Sequence, residues 1–353
     1  MPVADLRSGS ITAWVPLWWA GEGGPAGAVL NVLLWPAEQA YHLAVRARNT
    51  AYDRGWLVEA SAPIPVISIG NISVGGAGKT PFTAWLAEYL DVAGRRPAVV
   101  LRGYGRDEIL VHRELNPNVP VFAARRRIDG VREAAAAGCD IAILDDGFQH
   151  RAVSRDLDIL LVAADSWRSP QRLLPRGPWR ETLTMAGRRA DLVVATRKSP
   201  VTRDVPALKS AICAAIGRTP VVECSIRPAG LQPLQTKGDR VTRVSLRGMR
   251  VLAVAALAAP EPFVGNLEEL GCEAELIAFP DHHEFTADEA ASLGHHAGIR
   301  PIVMTLKDAV KLRPLIHAAQ PAYVLMQRVE LTDGAEHLLG AVENLLMRRE
   351  RIR

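Results

Sequence analysis

The most constraining feature of this 353-residue chain is an apolar run that opens into a glycine loop and then a helix-period pattern. Residues 63–70 include Val66, Ile67 and Ile69 and read as a buried parallel strand. Gly75-Gly76-Ala77-Gly78-Lys79-Thr80 follows. Phe82, Trp85, Leu86, Tyr89 and Leu90 then recur at helical spacing, and Gly94 ends the run. Glycines between a strand and a helix let successive backbone N–H groups turn toward one anion at the positive end of the helix. In that setting Lys79 would reach the β- and γ-phosphates of ATP, and the Thr80 hydroxyl would bind Mg²⁺. Gly75, Gly76, Ala77, Gly78, Lys79 and Thr80 are therefore the expected nucleotide-binding residues. Ser73 stands where the strict phosphate-loop pattern has its first glycine, and the Gly75-Gly76 pair supplies the flexibility instead.

The rest of the body keeps the strand–helix alternation. Further strands are expected at 97–101, 141–144, 157–164 and 192–195, with a helix over 123–138. The pattern predicts an α/β fold: a P-loop NTPase-like, mostly parallel sheet with a second, smaller α/β domain. Residues 227–239 are rich in Pro, Gly and Gln and read as a linker. A second α/β run has strands at 251–258, 274–279 and 302–305, and 335–349 reads as a closing helix before a basic tail. The expected boundaries are an N-terminal aromatic, membrane-associating segment at 1–60 and a P-loop domain at 61–226. A linker at 227–240, the smaller α/β domain at 241–334 and the C-terminal helix and tail at 335–353 complete the chain.

Lys plus Arg number 42 against 38 Asp plus Glu, a net charge of +4. So small an excess suits a phosphate-bearing substrate or an anionic membrane surface as well as it suits nucleic acid. The Arg125-Arg126-Arg127 cluster starts a helix that also carries Asp129 and Glu133, without stacking aromatics or an RNA motif. Nucleic acid is not an expected partner. The four cysteines are widely spaced and form no CxxC pair, which argues against a disulfide framework or zinc site and for a reducing compartment.

Five of the eight tryptophans, Trp14, Trp18, Trp19, Trp35 and Trp56, lie in the first 56 residues. The charge-free runs 8–21 and 23–37 are each shorter than the ~20 residues that cross a bilayer as a helix. Pro16, Pro25 and Pro36 interrupt them. A helix beginning near Pro36 gathers Tyr41, Ala44, Val45, Arg48 and Tyr52 on one face. The segment reads either as one lying in the membrane interface or as an arm packed on the protein's own core.

The strand at 141–144 runs into Asp145-Asp146-Gly147-Phe148-Gln149-His150. Acids at the C-terminal end of a strand beside a phosphate loop stand where Mg²⁺ needs a ligand or a water acceptor. Adjacent acids on extended backbone point different ways, so Asp145 and Asp146 are expected to divide these roles. Arg102-Gly103-Tyr104-Gly105-Arg106 follows another apolar strand, and its arginines suit bidentate phosphate contacts. Asp107-Glu108 comes next, and Asp281-His282-His283 follows a strand of the second domain. Without a Cys/His set at zinc spacing, one histidine acting as proton carrier or orienting group is more economical than a metal site.

These motifs, in this order, resemble the tetraacyldisaccharide 4′-kinase family, the lipid A 4′-kinases. The resemblance rests on Gly70-Asn71 with residues 74–81, on Arg102-Gly103-Tyr104-Gly105-Arg106, and on residues 145–151. Leu174-Pro175, Gly177-Pro178, Arg180-Glu181, Asp281-His282 and residues 307–311 add to it. It implies transfer of the γ-phosphate of ATP to the 4′-hydroxyl of a lipid A disaccharide 1-phosphate precursor, with Mg²⁺. It also implies work at the cytoplasmic face of the bacterial inner membrane by a monotopic or peripheral enzyme. The anionic membrane surface would be a partner, and no obligate protein partner is inferred.

Carried over by motif, Asp107 would be the base on the sugar hydroxyl and His282 its partner, with Asp146 as a further catalytic residue. Thr80, Asp145 and Glu181 would serve the metal. Arg102, Arg106, Arg127, Gln149 and His150 would face substrate or phosphate. Asp107 and His282 would meet only if the two domains close, which predicts a cleft with a lipid-facing mouth near the N-terminal helix. The chain departs from the family pattern at Leu101, Arg176 and Leu306, and Arg106 runs straight into Asp107 where the family has a longer insert.

The alternative is a P-loop GTPase or switch ATPase acting through a protein partner. Thr236-Lys237-Gly238-Asp239 matches a guanine-reading Thr-Lys-x-Asp. It sits in the linker-like stretch and not at the end of an apolar strand. Asp145-Asp146-Gly147 also lacks the two-residue spacing of a switch Asp-x-x-Gly.

Overall fold

Among the described residues, three helices precede the first strand: α1 (Ile11–Trp19), α2 (Gly24–Leu33) and α3 (Trp35–Asp53). The computed structural model describes residues 11–103, 105–165, 167, 171–198, 205–217, 221–235, 244–257 and 259–350. α1 and α2 form a hairpin closed by Trp18, whose indole N–H donates to Gly27 O at 3.0 Å. A Cβ at Gly27 would come within 2.7 Å of the Trp18 ring, so glycine is what lets the two helices meet.

β1 (Val66–Asn71) is buried along its whole length, as the unbroken apolar run predicts. The first lobe continues with α4 (Lys79–Val92), β2 (Pro97–Leu101), α5 (Arg106–Leu115), β3 (Val121–Ala123), α6 (Arg127–Ala136) and β4 (Ile141–Asp145). It is completed by β5 (Leu157–Ala163), α7 (Leu183–Gly187), β6 (Leu192–Arg197), α8 (Val205–Ile216) and β7 (Val221–Pro233). The expected helix over 123–138 is shorter than its pattern, because Ala123 ends β3 and α6 begins only at Arg127.

The second lobe holds β8 (Arg250–Ala255), α9 (Glu261–Glu269), β9 (Glu273–Ala278), α10 (Ala287–Ala297), β10 (Ile302–Thr305), α11 (Leu306–Leu312) and β11 (Ala322–Asp333). α12 (Ala335–Glu350) closes the chain. All eleven strands join one sheet in the order β3-β2-β4-β1-β5-β6-β7-β11-β10-β8-β9. Every pairing is parallel except β7 with β11. β1 lies between β4 and β5, so its C-terminal end opens the crevice in which open α/β sheets bind ligands.

The expected linker is corrected here. Arg227 to Pro233 form the second half of β7, a 13-residue strand paired antiparallel along β11. Gly230 has φ 127°, and a register shift at Met326/Gln327 absorbs the irregular sequence inside a continuous ladder. The remainder of the expected linker, including Thr236-Lys237-Gly238-Asp239, lies outside the described residues from 236 to 243. Leu338, Val342 and Leu345 of α12 pack into the first-lobe core, against β5 and β7.

Candidate active site

The phosphate loop takes the shape its glycines require. Gly75 has φ 112° and Gly78 φ 79°, both in the region that favours glycine. A Cβ at Gly78 would also lie 2.2 Å from Ile226 Cδ1. Lys79 opens α4 and its ammonium donates to Asn71 Oδ1 at 3.1 Å. Asn71 Nδ2 in turn donates to Ser73 O at 2.8 Å, so the loop entry is braced from the end of β1 even without the usual first glycine.

Asp145 ends β4 beside this loop. Its Oδ2 accepts from Thr80 Oγ1 at 3.4 Å and contacts His112 Nε2 at 2.9 Å. Its Oδ1 is buried with no hydrogen-bond partner. Burial alone would raise its pKa; the His112 hydrogen bond and charge, with Lys79 and Arg127, outweigh it and hold the carboxyl below its ordinary value. Asp146 does diverge from its neighbour. With φ 53° it turns toward solvent and pairs with Lys79 at 3.5 Å and Arg180 at 3.9 Å.

Asp107 sits in the first turn of α5, which starts immediately after the glycine-rich turn. The short connection leaves it buried, with Oδ2 3.7 Å from His282 Nδ1 and 3.6 Å from Lys311 Nζ. His282 has φ 61° and also contacts Lys307 Nζ at 3.1 Å. The two residues come from different lobes: Asp107 is buried, and His282 lines one cleft of 2010 Å³. Lys79, Asp145, Asp146, Arg127, His282 and Lys307 line it, together with Leu17 and Trp19 from the N-terminal helices.

Arg127 is buried at the start of α6 and donates to Asp145 O at 2.9 Å, while its Nε and Nη1 have no hydrogen-bond partner. Arg102, Gln149 and His150 also line the cleft. Burial, then the charges of Arg127, Arg102, Arg48 and Arg155, push His150 down to about 4, so it is neutral at pH 7. Arg106 opens α5; its side chain and the whole of Tyr104 lie outside the described residues.

Glu181, expected to serve the metal, is buried among other side chains. Both carboxylate oxygens accept from Arg189, at 2.8 and 2.9 Å, and Asn49 and Gln149 donate to them as well. These bonds tie Glu181 to Gln149 and to Asn49 of α3. The other departures are accommodated. Leu101 is core, Leu306 packs against the second-lobe core, and Arg176 forms an ion pair with Glu38 of α3.

The residues 30–345 match the family described as tetraacyldisaccharide-1-P 4′-kinase. The chain belongs to the tetraacyldisaccharide 4′-kinase family. The tetraacyldisaccharide 4′-kinase of Anaeromyxobacter dehalogenans strain 2CP-1 is 39% identical over 94% of each chain. That of Halorhodospira halophila is 36% identical over 95% of this chain and 97% of its own. The crystal structure of the Aquifex aeolicus member in complex with ATP is 29% identical and superposes with a TM-score of 0.71. It covers 90% of this chain and 99% of that one. The family's enzymes are kinases, and a mostly parallel P-loop sheet is common ground between that structure and this fold.

Several residues of the site carry no signal that periodicity or charge spacing marks. His112 reaches Asp145 from the α5 turn after Asp107-Glu108 and looks like any helical histidine in sequence. Glu108 lines the cleft with its pKa raised by burial, then by Asp145 and Asp107. Thr196 in β6 and Lys198 just beyond it donate to carbonyls of the phosphate loop. Lys307 and Lys311 lie one helical turn apart on α11, a spacing that was readable as one face.

Proposed function

We propose that the protein transfers the γ-phosphate of ATP to the 4′-hydroxyl of a tetraacyldisaccharide 1-phosphate. The observation that carries this reading is that the Lys79 loop of one lobe and His282 of the other line a single cleft, with the Asp107 carboxylate 3.7 Å from the His282 ring. The acceptor oxygen forms a bond to the γ-phosphorus as the bond from that phosphorus to the bridging oxygen of ADP breaks. The hydroxyl proton passes to the Asp107 carboxylate, with a contribution of roughly 10²–10⁴-fold. His282 orients that carboxylate, and Lys311 offsets its charge. Lys79, Arg102, Arg127 and Arg180 neutralise charge on the phosphates, where most of the catalysis of phosphoryl transfer lies.

Mg²⁺ would be held by Thr80 and Asp145 and, when bound, neutralises charge between the β- and γ-phosphates. The buried, unpartnered Asp145 Oδ1 beside a hydroxyl suits a hard cation that keeps several of its waters. Asp146, paired with Lys79 and Arg180, positions both cations.

The N-terminal helices support attachment to the membrane. Glu38 and Asn49 face the protein and are buried, while Val29, Val32, Leu33, Trp35 and Leu43 are exposed. This inverts the usual amphipathic helix and suits contact with acyl chains at the cytoplasmic face of the inner membrane. Among the described residues no helix is long and apolar enough to cross a membrane, which suits a peripheral or monotopic attachment. The test is transfer of labelled γ-phosphate from ATP to a lipid A disaccharide 1-phosphate in detergent micelles. Lys79→Ala and Asp107→Ala should each abolish it, and a wild-type protein that makes no labelled lipid overturns the reading.

A further inference from the structure

The phosphate loop is held from two sides. On one side stands Asn71, at the end of β1. On the other, two residues at the end of β6 donate to consecutive loop carbonyls: Thr196 Oγ1 to Ala77 O at 2.9 Å, and Lys198 Nζ to Gly76 O. In a planar trans peptide the N–H points opposite to its C=O. The bond to Ala77 O therefore turns Gly78 N–H away from β6. The bond to Gly76 O fixes the peptide whose Ala77 N–H closes a tight turn on Gly75 O at 3.2 Å. Both bonds set the direction in which the loop presents its donors.

A hydroxyl would suffice to hold Gly76 O, so the choice of an ammonium group needs a reason. Asp165, at the end of β5, accepts from Lys198 N at 2.8 Å and anchors the backbone there. The ammonium lies against the loop, and a Cβ at Gly76 would come within 2.8 Å of it. Burial, partly offset by Asp165, and repulsion from Lys79 bring Lys198 down to about 8. Two cations packed at one helix N-terminus oppose each other until an anion lies between them. A triphosphate is such an anion.

We propose that Lys198 is a nucleotide-positioning residue: through the Gly76 carbonyl it sets the phosphate loop, and its charge adds to that of Lys79 toward the phosphates of ATP. Thr196 shares the loop-setting role. The proposal rests on the use of ATP put forward above.

The experiment measures ATP affinity by calorimetry, the KM for ATP and kcat, and the thermal midpoint without nucleotide, all in the full chain. Lys198→Met should weaken ATP binding about tenfold, the size of one charge-assisted hydrogen bond. The loss should fall on KM for ATP far more than on kcat, and the midpoint should not drop, because the substitution also removes a half-buried charge. Lys198→Arg should recover affinity to within about threefold of wild type. Thr196→Val should weaken ATP binding in the same direction, and Thr196→Ser should restore it. ATP affinity within twofold of wild type in Lys198→Met overturns the proposal, as does a loss that Lys198→Arg leaves unrestored. Should Lys198→Met fail to fold, the Thr196 pair of variants decides it. Wild-type protein that binds no ATP would instead remove the reading beneath.

Discussion

His282 Nδ1 stands 3.7 Å from Asp107 Oδ2 across the boundary between the two lobes. Lys311 reaches the same carboxylate oxygen from 3.6 Å, and it too comes from the second lobe. The carboxylate is supplied by one lobe, and both of these neighbours by the other. The chemistry of the cleft therefore depends on β7 and β11 holding the lobes in one sheet.

Asp107→Asn should lower kcat roughly 10²–10⁴-fold with little change in KM for ATP, since the change removes a base and leaves the nucleotide site intact. His282→Asn should cost less, on the order of tenfold, because the carboxylate remains. Steady-state kinetics with radiolabelled ATP separates the two. Equal losses in both variants would mean that the pair acts as one unit.

Removal of divalent cations with EDTA should stop transfer, and Mg²⁺ should restore it. Asp145→Asn should raise the Mg²⁺ concentration for half-maximal rate by at least about tenfold. Glu181→Gln should leave that concentration near wild type, because Arg189, Asn49 and Gln149 already occupy its carboxylate. A Mg²⁺ titration of the rate reads both.

The Glu38–Arg176 pair ties α3 to the loop that carries Arg180, and Glu38 also accepts from Leu173 N at 2.7 Å. Glu38→Ala leaves a mostly buried guanidinium unpaired and should destabilise the protein by roughly 3 kcal/mol. The double variant Glu38→Ala/Arg176→Ala should lose less than the sum of the single ones. Urea unfolding of the four proteins completes the cycle.

Val32→Glu combined with Leu33→Glu should reduce co-sedimentation with anionic vesicles at least about tenfold, each side chain contributing roughly 1.5–3 kcal/mol of apolar transfer. Both positions are exposed, at 74% and 66%, so the thermal midpoint in detergent should change little.

His150 ties stability to pH. Its pKa is about 4 in the folded protein against an ordinary 6.5. Between these values the unfolded chain binds a proton that the folded chain refuses. This group's contribution is therefore lost as pH falls from 6.5 toward 4. His150→Asn should flatten the fall in urea midpoint across that window while leaving the midpoint at neutral pH nearly unchanged.

What the sequence determined was local. The apolar run, the glycines and the helix period around Lys79 specify strand, turn and helix through neighbours a few residues apart, and all three appear where the pattern put them. Asp145 and Asp146 were expected to diverge along extended backbone; they diverge because Asp146 leaves the strand with φ 53°. Residues 227–233 were not legible, since Pro and Gly argue for a linker unless a long partner strand such as β11 is present to pair with them. The partners of Glu181 were not legible for a similar reason. A carboxylate's partners depend on which groups the fold brings to it, and Arg189, two residues beyond α7, is one of them. The buried polar and exposed apolar sides of α3 were likewise set by Arg176, Glu181 and Arg151, which lie more than a hundred residues away. Tertiary structure alone brought Asp107 to His282 and Lys198 to Gly76, because charges and carbonyls that far apart in the chain meet only once the sheet has ordered its strands.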